Sequence, residues 1–134
     1  MQLHWIEQFA EDRRRELYAF YSKEWWTQGR EYDDVIQVLE HSDIVLGCCS
    51  DAGRLIGFAR VLTDFTFKAM IFDVIVDEPF RRQGVGNAII DRIKGHEALQ
   101  KVRSFELYCP DQLVAFYEGL GFAKSSSSLL RHQR

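Results

Sequence analysis

The sequence predicts a layered α/β domain built on a mixed β-sheet. Three observations predict it. Apolar residues in the first third fall at helical spacing, three β-branched or apolar runs follow at strand length, and a strand then passes through a glycine pair into another helix.

The first helix is read over Glu11–Trp25, with Leu17, Phe20, Tyr21 and Trp25 on one stripe, and the second from about Glu31 to His41, with Val35, Val38 and Leu39 on one face. Trp25-Trp26-Thr27-Gln28-Gly29-Arg30 forms the break between them. Strands are expected over Asp43–Ser50, Arg54–Thr63 and Lys68–Val76, the first two joined by the turn signal Asp51-Ala52-Gly53. A helix follows from Gly84 to about His96, then a strand over Ser104–Cys109. Leu113, Phe116, Tyr117 and Leu120 mark a short helix with Gly119 and Gly121 at its exit, and a last strand is expected from Phe122. A helix crossing between two successive strands makes those strands parallel neighbours.

The chain of 134 residues, 46% hydrophobic and 13% aromatic, suits one domain with an ordinary core. A net charge of −3, from 17 basic and 20 acidic residues, lacks the basic footprint of a nucleic-acid binder. Arg13-Arg14-Arg15 lies among Glu11, Asp12 and Glu16 and reads as a solvated helix face. No apolar run reaches membrane-spanning length, so no membrane partner is expected. Cys48, Cys49 and Cys109 form neither a disulfide framework nor a zinc set, and the four histidines are scattered, so no metal is expected. The cysteine usage and the plain N-terminus predict a cytoplasmic location.

The segment with most chemical content runs from Asp73 to Ala88. A strand ends, a tight turn follows, and a helix begins within Gly84-Val85-Gly86. Amides at a helix N-terminus have no helical acceptor and sit at the positive end of the dipole, which makes an anion site. Arg81 and Arg82 add positive charge. The segment is not a P-loop, because Asn87-Ala88 stands where Lys-Ser/Thr belongs. It is not the dinucleotide fingerprint either, because Ile89 replaces the third glycine.

Arg81-x-x-Gly84-x-Gly86, directly after an apolar strand, resembles the acetyl-CoA motif of the GNAT superfamily of N-acyltransferases. Phe116-Tyr117-Glu118-Gly119-Leu120-Gly121-Phe122, roughly 30 residues on, is similar to that family's aromatic-Tyr-x-x-x-Gly-Phe element. The resemblance covers about Ile44 to Phe122 and implies a mostly antiparallel sheet with helices on both faces and a splayed parallel strand pair. It further implies acetyl-CoA as co-substrate. The diphosphate would lie on the loop, with Arg81, Arg82, Gly84, Val85, Gly86 and Asn87, and the pantetheine arm along Ile75 and Val76. A backbone N–H near Val76 would stabilise the developing oxyanion.

Tyr117 matches the family's general acid, although it also lies on an apolar stripe. Asp73 stands where many members carry an acidic residue and is the candidate base. An ordinary ion-paired aspartate and proton loss to solvent are the alternatives. Trp25, Trp26 and Arg30 match the region that lines the acceptor pocket, although Trp25 also completes a core stripe. The expected activity is acetylation of a primary amine, of a small molecule in the first place, by direct attack in a ternary complex. A protein or peptide amine, and acyl-CoA binding without turnover, are the alternatives. A homodimer is a possible assembly. The family's Asn near the strand end before the second motif is missing, the stretch reading Cys109-Pro110-Asp111-Gln112.

Overall fold

The computed structural model describes residues 1–134. Strands β1 (His4–Ile6), β2 (Ile44–Cys49), β3 (Leu55–Thr63), β4 (Lys68–Val76) and β5 (Ser104–Glu106) form one sheet in sequential order, with helices α1 (Glu11–Lys23), α2 (Tyr32–His41), α3 (Val85–Lys94) and α4 (Val114–Glu118). All neighbouring strands are antiparallel except β4 and β5, joined by the α3 crossover. This is the expected mixed sheet with one parallel pair.

Helices cover both faces. On one face Leu17, Phe20 and Tyr21 of α1 and Val35 of α2 pack with Leu55, Phe58 and Ile75. On the other, Val85, Ile89, Ile90 and Ile93 of α3, with Tyr117 of α4, pack against Leu46, Ile56, Val61 and Ile71. Along β2 alternate residues feed the two layers, as a two-residue side-chain period requires, and the register shift at Cys48/Cys49 resets that alternation in β3, so Leu55 and Phe58 share a face. At Gly57 a Cβ would stand 2.8 Å from Ile89 Cδ1, so the missing side chain sets how closely α3 lies on β3.

Local chemistry fixes the boundaries. Asp64 Oδ1 accepts from the amides of Thr66, Phe67 and Lys68 and turns the chain from β3 into β4. A reciprocal capping box between Glu31 and Asp34 starts α2. The first helix stops short of its expected end. Thr27 Oγ1 donates to the Tyr21 carbonyl at 2.6 Å, satisfying a carbonyl in the last turn of α1, and Trp25–Thr27 form a separate 3-10 turn. Trp25 is therefore not part of the core stripe and is 74% exposed.

One strand was not expected, and two further expectations change. His4–Ile6 pairs with Gly47–Cys49 as an edge strand too short to show a period. The strand expected over Ser104–Cys109 pairs only as far as Glu106. The expected final strand does not form: residues 123–134 carry no regular element, and the serine run has no apolar alternation to bury. No helix is long and apolar enough to cross a membrane.

Candidate functional site

Two features of β4 shape the site. Its pairing with β5 covers only Lys68 with Ser104, Ala69 with Phe105 and Met70 with Glu106. Beyond Met70, β4 continues to Val76 with no strand partner on that side. Its pairing with β3 also shifts: Arg60 faces Phe72 and Phe58 faces Ile75, so Asp73 and Val74 together oppose Ala59. That extra residue is a bulge, which bends and twists the strand that carries it. Asp73 has φ +55°. A cleft of about 880 Å³ runs from Met70 past Glu106–Cys109 to Tyr117 and the residues after Phe122.

At the end of β4 the chain passes through a 3-10 turn, Glu78–Phe80, started by the Asp77 side chain accepting from the Glu78 amide. Asp77 is buried and paired with Arg54 and Lys23. The loop then enters α3 through Gly84, the N-cap, at φ +86°, a backbone that side-chain-bearing residues rarely adopt. None of the amides from Arg82 to Asn87 finds an acceptor within the chain, the first helical bond being Ala88 to Gly84. They form a row of free donors at the positive end of a ten-residue helix. A Cβ at Gly84 would meet nothing within 4 Å, so its role is conformational. At Gly86 a Cβ would stand 3.3 Å from Phe116 Cζ, so its role is to admit α4 against the start of α3.

The two arginines of the loop behave differently. Arg81 donates from Nε to the Val76 carbonyl at 2.9 Å and from Nη2 to Glu24 at 2.7 Å. Arg82, at φ +63°, is exposed and has no ion pair. Arg82 is thus the free cation of the loop, and Arg81 ties it to the end of α1. Val76 lies where Arg81 meets it, and Ile75 is buried against α1.

Tyr117 is 8% exposed, flanked edge-to-face by Phe116 and Phe122 with centroids 5.0 and 5.9 Å away. Burial, followed by the nearby Cys109 thiol, pushes its hydroxyl up to about 12, so it keeps its proton at neutral pH. The hydroxyl has no protein hydrogen-bond partner and borders the cleft. Burial also raises the Cys109 thiol, leaving it neutral.

Asp73 lies apart from Tyr117's cleft, on the α1 side of the sheet. Its Oδ2 accepts from Tyr21 Oη at 2.8 Å, Arg30 Nη1 at 2.9 Å and Arg60 Nε at 2.7 Å. Burial opposes its charge, but the Arg30 and Arg60 donors prevail and hold the carboxyl below the ordinary aspartate value. Arg30 also stacks over the Tyr21 ring at 4.6 Å. Arg30 is therefore committed to Asp73. Trp25 borders a small pocket of about 170 Å³ with Phe20, Glu24, Ile75 and Arg81, and Trp26 is also exposed.

Sequence reasoning gave no site role to Tyr21, Glu24 or Arg60. The detectable signal was Arg60, a charge inside the otherwise apolar strand Leu55–Leu62. No group of three or more His, Cys, Asp or Glu side chains is arranged to hold a metal.

Residues 3–122 match the model of the acetyltransferase (GNAT) family. Serotonin N-acetyltransferase 2, chloroplastic, of Oryza sativa subsp. japonica is 32% identical over 103 residues, covering 75% of this chain and 52% of that protein. Histone acetyltransferase TAP1 of Glycine max is 39% identical over 69 residues, covering 52% of this chain and 30% of that protein. The chain thus spans 52% and 30% of the length of these two curated relatives. A solved GNAT-family structure from Xanthomonas campestris pv. campestris superposes with a TM-score of 0.85 at 25% identity, covering 99% of this chain and 94% of that one. Glucosamine-6-phosphate N-acetyltransferase from Arabidopsis thaliana shares the fold, with a TM-score of 0.79 at 16% identity over 98% of this chain and 99% of that one. Sheet order, strand gap and glycine loop agree with the family match, and this chain belongs to the GNAT acetyltransferase family.

Proposed function

We propose that this chain transfers the acetyl group of acetyl-CoA to the primary amine of a small molecule, by direct attack within a ternary complex. The row of free amides from Arg82 to Asn87, beside a strand that has lost its partner, carries this reading. The residues present fit the co-substrate. The amides and the unpaired Arg82 suit a diphosphate, and the open side of β4 beyond Met70 suits an extended amide-bearing arm.

Acetyl-CoA supplies an acyl thioester already activated toward amines. The chain's own residues bind, orient and manage protons. The α3 amides anchor the diphosphate end. The backbone near Val76 offers polar groups to the arm, and Arg81 must release the Val76 carbonyl for that group to pair with it. Tyr117 holds a proton in a mostly apolar setting and is the donor for the departing thiolate. Asp73 Oδ2 accepts from Tyr21, Arg30 and Arg60, and the two guanidinium groups make the carboxylate a weak base, so the proton lost by the amine goes to solvent.

Exposed Trp25 and Trp26, together with the similarity to a serotonin N-acetyltransferase, support a small aromatic amine as acceptor. The similarity to histone acetyltransferase TAP1 favours a second reading, a protein lysine. Thiol release from acetyl-CoA, measured with serotonin, simple alkylamines and a lysine-rich histone-tail peptide, separates them. Release with serotonin alone supports the small-molecule reading, and release with the peptide alone supports the other. Coenzyme A binding without release from any amine overturns catalysis.

A further inference from the structure

The Asp73 carboxylate is the most densely ligated side chain in the molecule, and its donors come from three places. Tyr21 belongs to α1, Arg30 to the connection before α2, and Arg60 to β3. Arg60 also stacks on Phe72, next to Asp73 in the chain, at 4.9 Å. Asp73 itself is the residue at which β4 steps out of register with β3, and its backbone lies in the left-handed region. A side-chain-bearing residue persists there only where its surroundings over-determine it. Pairing with β5 ends at Met70, just before this residue, and the free edge of β4 lies beyond it.

We infer that Asp73 is a positioning residue: its bonds to Tyr21, Arg30 and Arg60 hold the bulge of β4, and the bulge sets the opening beside Val76 into which the coenzyme A arm fits. The inference rests on the acetyl-CoA reading of the glycine loop. A carboxylate ion-paired with two guanidinium groups, and with one oxygen shared by three donors, is a poor acceptor for a proton from an incoming amine. Arg30 extends the same network to the segment that bears Trp25 and Trp26, so the acceptor wall and the cofactor strand share one anchor.

The test uses the whole chain, coenzyme A as the probe, and the variants Asp73→Asn and Tyr21→Phe. Calorimetry gives the Kd for coenzyme A, and amide NMR reports Val76 and Gly57, its partner across β3 and β4, in the unliganded protein. Asp73→Asn is expected to weaken coenzyme A binding about tenfold and to shift those two amides. Tyr21→Phe is expected to change both in the same direction by less. A residue acting only as a base would leave binding and amide shifts at wild-type values, and that result overturns the inference. A lowered melting temperature with unchanged Kd and shifts also overturns it. If Asp73→Asn does not fold, Tyr21→Phe decides by the same two readings. A wild-type chain that fails to bind coenzyme A overturns the acetyltransferase reading and this inference with it, whereas equal binding by wild type and folded variants overturns this inference alone.

Discussion

Arg81 and Glu24 form an ion pair of 2.7 Å that ties the start of the glycine loop to the end of α1. Arg81 is 49% exposed and Glu24 18%, so the pair is partly screened by solvent. Its contribution to stability is expected to be under about 1 kcal/mol. Its effect on ligand is larger in proportion, because Glu24 occupies Arg81 and places a negative charge beside the loop proposed to seat the diphosphate. Glu24→Gln should leave the melting temperature nearly unchanged and tighten coenzyme A binding several-fold. The gain should shrink as salt rises from about 0.01 to 0.15 M. Calorimetry at the two ionic strengths checks it.

Gly84 separates conformation from contact. Its positive φ makes Gly84→Ala cost about 1–2 kcal/mol of stability, although the added methyl meets no neighbour. Gly84→Val should cost more and remove measurable coenzyme A binding, because relieving the strain rotates the free amides away from a common centre. Thermal melts and binding titrations of the two variants give both quantities.

Tyr117→Phe keeps the edge-to-face packing on Phe116 and Phe122 and removes a hydroxyl with no protein partner. Stability should move by less than about 0.5 kcal/mol. Turnover should fall on the order of a hundredfold with coenzyme A affinity unchanged. Steady-state rates beside binding titrations test this. In wild type the raised hydroxyl means the unfolded chain ionises first as pH rises. Stability from this group is therefore full below about pH 10 and is lost toward about pH 12. The alkaline loss should be smaller in the phenylalanine variant.

Asp73 predicts the opposite pH behaviour. Its carboxyl is held below the ordinary aspartate value, so the unfolded chain takes up its proton first as pH falls. The stability it provides is present above that ordinary value and is lost as pH falls through the folded one. Asp73→Asn leaves two partly buried guanidinium groups without their counter-charge and should cost about 3 kcal/mol at pH 7. The difference from wild type should narrow under acid, as read by urea unfolding at neutral and acid pH.

The layered fold was legible because periodicity reports burial, and most of the sheet and α3 are buried. Trp25 misled because spacing cannot show that Thr27 ends the helix by bonding to the Tyr21 carbonyl. The strand expected after Phe122 misled because no apolar alternation supports it. At the site, Gly84 and Gly86 were legible as a loop, but their different reasons, backbone angle and close approach of Phe116, are tertiary. Asp73 was picked out as an acid on the strand that leads into the glycine loop. Its partners were hidden because Tyr21, Arg30 and Arg60 lie 52, 43 and 13 residues away along the chain.

The parallel seam joining Lys68–Met70 to Ser104–Glu106 is three residue pairs long, against six each for the two antiparallel seams in the middle of the sheet. Small openings of the native molecule should start there, letting β5 and α4 swing outward while the antiparallel ladder stays closed. Such an opening leaves the amides at the head of α3 in place and carries the Tyr117 hydroxyl away. Capture of the nucleotide end and competence for proton delivery would then disappear in two separate events, with amide exchange at Phe105 preceding exchange at Phe58.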